Sequence, residues 1–201
     1  SPYPYATAIE HYESWLSEAD GGTQHTKDTI PDWSGRWLGD VGLNAGNRSP
    51  ADIVQLIQPD YRIAYVLNLQ AETQARLWDA NTFCLPPGFF DALGPNEWIP
   101  TPGRTWTHGE GNTENTIRWI YTDGSGHIPE QFQYPKWLGA SIGFWDGDAL
   151  IIHTNQVKGW HGGLYEYSDQ LEAVERYRKV GDVIEAEITV YDPEVYTRPL
   201  H

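Results

Sequence analysis

Ser141-Ile142-Gly143-Phe144-Trp145-Asp146-Gly147-Asp148-Ala149-Leu150-Ile151-Ile152-His153 is two apolar runs about one reversal. Asp-Gly at its centre supplies the residues that a tight primed turn demands, so the stretch predicts a hairpin of strands 139–145 and 148–154. The same texture extends outward. From residue 96 onward, short alternating runs between turn residues predict further strands at 96–100, 103–109, 115–122, 170–180 and 183–191, the last two joined at Val180-Gly181-Asp182. Trp33-Ser34-Gly35-Arg36-Trp37-Leu38 adds a strand signal upstream. The expectation is a mainly β fold, an antiparallel barrel of about eight strands, enough to enclose side chains or one small ligand.

Helical signals precede the meander. Ala6, Ile9, Tyr12, Trp15 and Leu16 fall at helical spacing over 5–18, and Gly21-Gly22 ends the run. Ser49-Pro50 reads as an N-cap with proline at the first helical position, opening a short helix through Ile57 that Pro59 stops. Between Asp60 and Trp78 a strand period and a helix period compete. The Ala71-Glu72-Thr73-Gln74-Ala75-Arg76 tail favours helix. The chain is thus expected to be one domain, residues 1–201: an N-terminal helical segment over 1–30, then a barrel carrying a helical insertion at about 50–80.

Charge and composition narrow the function classes. Thirteen Lys+Arg against 28 Asp+Glu give a formal net charge of −15, which repels a phosphate backbone and makes nucleic acid and anionic membranes poor partners. The longest aliphatic run, Ala149 to Ile152, is far short of the roughly 20 residues of a membrane helix. No charged-then-apolar leader opens the chain at Ser1-Pro2-Tyr3-Pro4. One cysteine, Cys84, permits no intrachain disulfide and reads as a small buried hydrophobe. Ten Trp, 12 Tyr and 5 Phe furnish flat surfaces for a core and for a pocket that stacks on rings.

Two resemblances follow from particular residues. Gly35-Arg36-Trp37, behind a helical segment and ahead of a meander, resembles the Gly-x-Trp signature of lipocalins and other calycin barrels. It implies a Trp closing one barrel end under a basic residue from a late strand, here Arg176 or Arg178. Cys84-Leu85-Pro86-Pro87-Gly88, Thr101-Pro102-Gly103-Arg104, Tyr121-Thr122-Asp123-Gly124, Trp145-Asp146-Gly147-Asp148 and Asp192-Pro193-Glu194-Val195-Tyr196-Thr197-Arg198-Pro199 together resemble a largely uncharacterised family of exported bacterial proteins. That resemblance implies export, periplasmic or secreted, and delivers no reaction. The chain departs from it at Ala140, where His is usual, and at His153, where Asp is usual.

Candidate chemistry centres on histidine. His153 shares a strand face with Ala149 and Ile151, the setting of a core histidine or of a general base in a cavity. His127 and His161 lie in glycine-rich stretches, and three converging imidazoles with His153 would suit a divalent metal, although no metal signature such as HExxH is present. No metal and no cofactor are therefore assigned. Glu175, among Leu171, Ala173 and Tyr177, is expected either to pair with Arg118 or to serve His153 as orienter or acid. Arg118 alternates with Trp119 and Tyr121, and the sequence leaves open which of them face a cavity.

There is no Gly-x-Ser-x-Gly elbow, P-loop or dinucleotide fingerprint. Asn47-Arg48-Ser49 fits a glycosylation sequon that Pro50 makes uninformative. The leading expectation is a cofactor-free lyase or isomerase acting on a small aromatic or cyclic molecule. In it His153 is the base, Glu175 its partner, Tyr121 a donor to developing oxyanion charge and Arg118 a positioning cation, with Trp119, Trp145, Trp160, His161 and His127 as ligand-binding residues. The alternatives are a non-catalytic lipocalin-like carrier of a hydrophobic ligand and a histidine-metal hydrolase.

Overall fold

The computed structural model describes residues 1–38, 50–76, 84–86, 88–109, 116–162 and 165–201. The sequon, the Ser49 cap, Trp78 and Pro87 lie outside them. Helix α1 spans Ala8–Glu18, α2 Pro50–Leu56 and α3 Pro59–Thr73. Strands follow at β1 Glu97–Thr101, β2 Arg104–Gly109, β3 Thr116–Tyr121, β4 Ala140–Asp146, β5 Ala149–Asn155, β6 Trp160–Gly162, β7 Tyr165–Tyr167, β8 Glu172–Val180 and β9 Val183–Tyr191. Seven form one curled sheet in the order β1-β2-β3-β4-β5-β8-β9, and β6-β7 form a separate pair.

The central hairpin forms as its residues dictate. Asp146 pairs with Ala149, leaving Gly147-Asp148 as the two central residues. Gly147 alone carries positive φ, at 59°, on the first central residue as a type II′ turn requires, so the reversal sits one residue later than Asp-Gly suggests. Every neighbouring pair is antiparallel except β3-β4, which run parallel and meet only at Ile120–Ser141 and Tyr121–Ile142. Below that short seam the Ile117–Trp119 stretch of β3 has no β4 partner.

Four expectations are corrected. Residues 33–38 form no strand; they cross between the sheet's unpaired ends, where Trp37 N–H donates to Asn96 O (2.7 Å), Asn96 Nδ2 donates to Trp37 O (3.0 Å) and Lys179 Nζ donates to Asp32 O (2.9 Å). Trp33 is consequently buried, edge-on against Trp98 and Trp145. The sheet is a half-barrel and does not close. Cys84 is exposed and not a core residue. The basic residue over Trp37 is Lys179, with Nζ 5.5 Å from the ring centroid, whereas Arg176 lies over Trp15 and Arg178 pairs with Asp148.

The register assigns the faces. Ile120, Ser141, Thr154, Ala173 and Val190 share one row, and Ile152 pairs with Glu175 on that same face. This inner face packs on Trp33, Trp98, Leu150 and Tyr177, and towards α2 and α3 on Ile57, Tyr65 and Phe89. The outer face carries the row Tyr121, Ile142, His153, Val174 and Thr189. Over its β4-β5-β8-β9 part lies α1, whose Ala8 and Tyr12 bury against Phe144, Ile151, Val174 and Tyr191. A capping box begins α1: Thr7 Oγ1 accepts from Glu10 N–H, and Glu10 Oε2 accepts from Thr7 N–H. Over β3, α1 ends and the outer face opens.

Candidate active site

Arg118 and Glu175 meet on the inner face, fully inside the protein. Arg118 Nη1 and Nη2 donate to the two Glu175 oxygens at 2.7 and 2.6 Å, a bidentate pair. Arg118 Nε donates to Ser141 Oγ (2.9 Å), and Nη2 also donates to Thr154 Oγ1 (2.5 Å), which passes its own proton towards Glu175 Oε1 (3.3 Å). The Tyr177 hydroxyl stands 3.0 Å from both Glu175 Oε2 and Leu93 O, and its one proton serves one of them at a time. Burial works to lower the Arg118 pKa, but the Glu175 charge and hydrogen bonds outweigh it and the net direction is up; burial and then Glu175 push Tyr177 well above its ordinary value. This network is structural, since its donors and acceptors are spent on one another.

His153 lies on the opposite face, so the expected His153–Glu175 partnership is not formed. On β8 the register puts Val174 opposite His153 and Glu175 opposite Ile152. His153 Nε2 instead meets Glu172 Oε2 at 3.0 Å, and His153 Nδ1 meets His127 Nε2 at 2.8 Å. Tyr12 of α1 packs against the His153 ring, centroids 5.6 Å apart. His153 is 1% exposed and cannot itself reach a ligand; His127, half-buried, is the ring at the surface of a cavity.

That cavity, of about 590 Å³, sits on the outer face over the unpaired part of β3. Trp119, Tyr121, Ile117 and Ile142 line it from the sheet, and Ser125, His127, Ile128, Lys136 and Leu138 line it from the 122–139 connection. Arg118, Ser141 and Gln156 reach it through the β3-β4 seam. The face left open by the sequence is thereby settled: Trp119 and Tyr121 face the cavity, while the Arg118 charge is held by Glu175 behind it. A volume of this size suits one small molecule with an aromatic wall.

Electrostatics favour the uncharged form of His127. Burial, then the neighbouring His153, pulls His127 down to about 4, with Lys136 adding to the effect and Glu172 opposing it. At neutral pH His127 is therefore uncharged, with one N–H. The hydrogen-bond roles that satisfy both contacts have Glu172 Oε2 accepting from His153 Nε2–H and His153 Nδ1 accepting from His127 Nε2–H. In that tautomer His127 Nδ1 carries the ring's lone pair.

The remaining candidates fall elsewhere. Trp145 is buried in the core against Trp33 and does not line the outer-face cavity. Trp160 and His161 are on β6, where His161 bonds Glu166 and stacks on Tyr61. The three histidines do not converge, and no group of three or more His, Cys, Asp or Glu among the described residues is arranged to hold a metal. A larger cleft of about 710 Å³ beside Trp33 is lined partly by Ile30, Trp98 and Ile99, and its charged side chains, Lys27, Asp32, Arg36 and Glu97, are all exposed. Sequence reasoning missed Glu172, Lys136 and Gln156. No local pattern marks them, because each is brought in by the β3-β4 seam or by the face on which His153 lands. No family model, curated protein or solved structure matches the chain.

Proposed function

We propose that the protein is a small-molecule enzyme of the isomerase or lyase type, working by general acid–base catalysis without a cofactor in the outer-face cavity. The observation that carries this reading is the Glu172–His153–His127 chain ending on a cavity wall beside Trp119 and Tyr121. His127 takes the part of base that the sequence suggested for His153, which becomes a positioning residue, and Glu172 replaces Glu175 as the carboxylate. Tyr121 offers a phenol to developing oxyanion charge, and Trp119 stacks on an aromatic or cyclic substrate. In architecture we read the half-barrel as a relative of calycin barrels whose gap is filled by residues 32–38; Lys179 over Trp37 supports this. Export follows from the exported-family resemblance alone.

The test is isotope exchange. In D₂O, the wild-type protein should incorporate deuterium next to the carbonyl of small cyclic and aryl ketones. His127→Gln and His153→Gln should each slow this by about 10²-fold or more, the usual worth of a positioned base. Ketones that bind without exchange would leave a carrier, the reading that the apolar walls Ile117, Ile128, Leu138 and Ile142 would then support.

A further inference from the structure

We infer that the cavity's ligand is an anion, a planar ring bearing a carboxylate, held by Lys136; this rests on the outer-face cavity being the functional site. The chain has 28 Asp and Glu among 201 residues and a formal net charge of −15, yet none of the described residues lining the cavity is acidic, and two, Arg118 and Lys136, are cations. The carboxylates nearby are already engaged: Glu175 balances Arg118, Glu172 is held by His153, and Asp123 accepts from Ser125 N–H within reach of Arg104.

Lys136 is different. No described carboxylate forms an ion pair with it; its ammonium lies 4.9 Å over the Tyr134 ring and near enough to His127 to help lower that ring's pKa. Its backbone is pinned three ways: Lys136 N–H donates to Gln156 O (2.8 Å), and Lys136 O accepts from Lys158 N–H (2.8 Å) and Gly139 N–H (3.1 Å). Gln156 makes the first bond from a left-handed backbone, φ 56°, a conformation that costs energy in a non-glycine residue and that clusters where geometry serves a site. A second cation, Arg104, sits on the same face of the sheet over Trp106, Trp119 and Tyr121, 4.8, 5.7 and 5.9 Å from their ring centroids, close enough to lower the Asp123 pKa. An acidic protein whose described residues keep carboxylates out of one aromatic cavity and place at its rim an ammonium with no described carboxylate partner has built a site for negative charge on a ring.

Benzoate and its neutral isostere benzamide are the probes, titrated into the full chain and followed by amide chemical shifts around Ile117–Tyr121 and Ser125–Leu138. Benzoate should bind about five- to tenfold tighter than benzamide, the scale of one partly exposed ion pair, and the preference should vanish in Lys136→Gln. Equal binding of the two probes, a preference that survives Lys136→Gln, or no saturable benzoate binding at millimolar concentration would each overturn the inference. Ketone exchange lost in His127→Gln would still stand if benzoate were not preferred, so the two readings fail separately.

Discussion

Removing Arg118 tests the inner-face network. Arg118→Ala strips Glu175 of both guanidinium bonds and leaves a wholly buried carboxylate with only the weak Thr154 contact at 3.3 Å and a share of one Tyr177 proton. Loss of one partner of a buried ion pair costs about 3–5 kcal/mol. For a chain of this length that lowers Tm by roughly 6–20 °C. Replacing both partners, Arg118→Met with Glu175→Leu, should restore most of the loss. The polar groups left behind then satisfy one another: Ser141 Oγ and Thr154 Oγ1 are 3.0 Å apart, and Tyr177 keeps Leu93 O. Urea unfolding followed by near-ultraviolet circular dichroism, which reports the buried tryptophans, gives the three free energies. A single-variant cost under about 1 kcal/mol, or a double variant as unstable as the sum of the two singles, would refute a buried, mutually dependent pair.

Further outcomes follow from the same geometry. His11 is fully buried among Tyr3, Tyr5 and Trp15, and burial lowers its pKa from 6.5 to about 4. Between those values the unfolded chain binds a proton that the folded one does not, so stability is full above pH 6.5 and falls as pH drops to 4, by about 3 kcal/mol for this group; urea midpoints across that window should fall less steeply in His11→Leu, and an unchanged slope would contradict it. Gly139→Ala places a Cβ 2.6 Å from Asn155 O and 2.7 Å from Thr154 Cγ2 at φ 68°. It should lower stability by about 2 kcal/mol or more by thermal unfolding, and benzoate binding with it. Glu172→Gln keeps an acceptor for His153 but removes the charge, and should slow ketone exchange by about 10²-fold with little change in Tm.

Most of the sheet was legible in the sequence because its signals are local. Alternation and Gly-containing turns locate seven strands to within two residues, and Pro59, expected to stop α2, also starts α3 as its first residue. The segment at 33–38 misled because Trp-rich sequence serves equally as a strand or as a plug; its bonds to Asn96 and Lys179 are long-range. β6 and β7, three residues each, are too short to show a period. The site was half legible. His127, His153, Trp119 and Tyr121 were singled out, but the choice between Glu172 and Glu175 depends on which face His153 takes in the β5-β8 register, and strands leave faces undetermined until they pair.

The central claim is that His127 and His153 act as one unit anchored by Glu172. Long-range ¹⁵N–¹H spectra of the histidine rings read it directly. At pH 7 both rings should carry Nε2–H, with a bare His127 Nδ1; His127 should stay unprotonated until the pH approaches 4, and its ring shifts should move in Glu172→Gln although the two residues do not touch. A His127 that titrates near 6.5 with equal tautomers, indifferent to Glu172→Gln, would show two unrelated histidines and no relay.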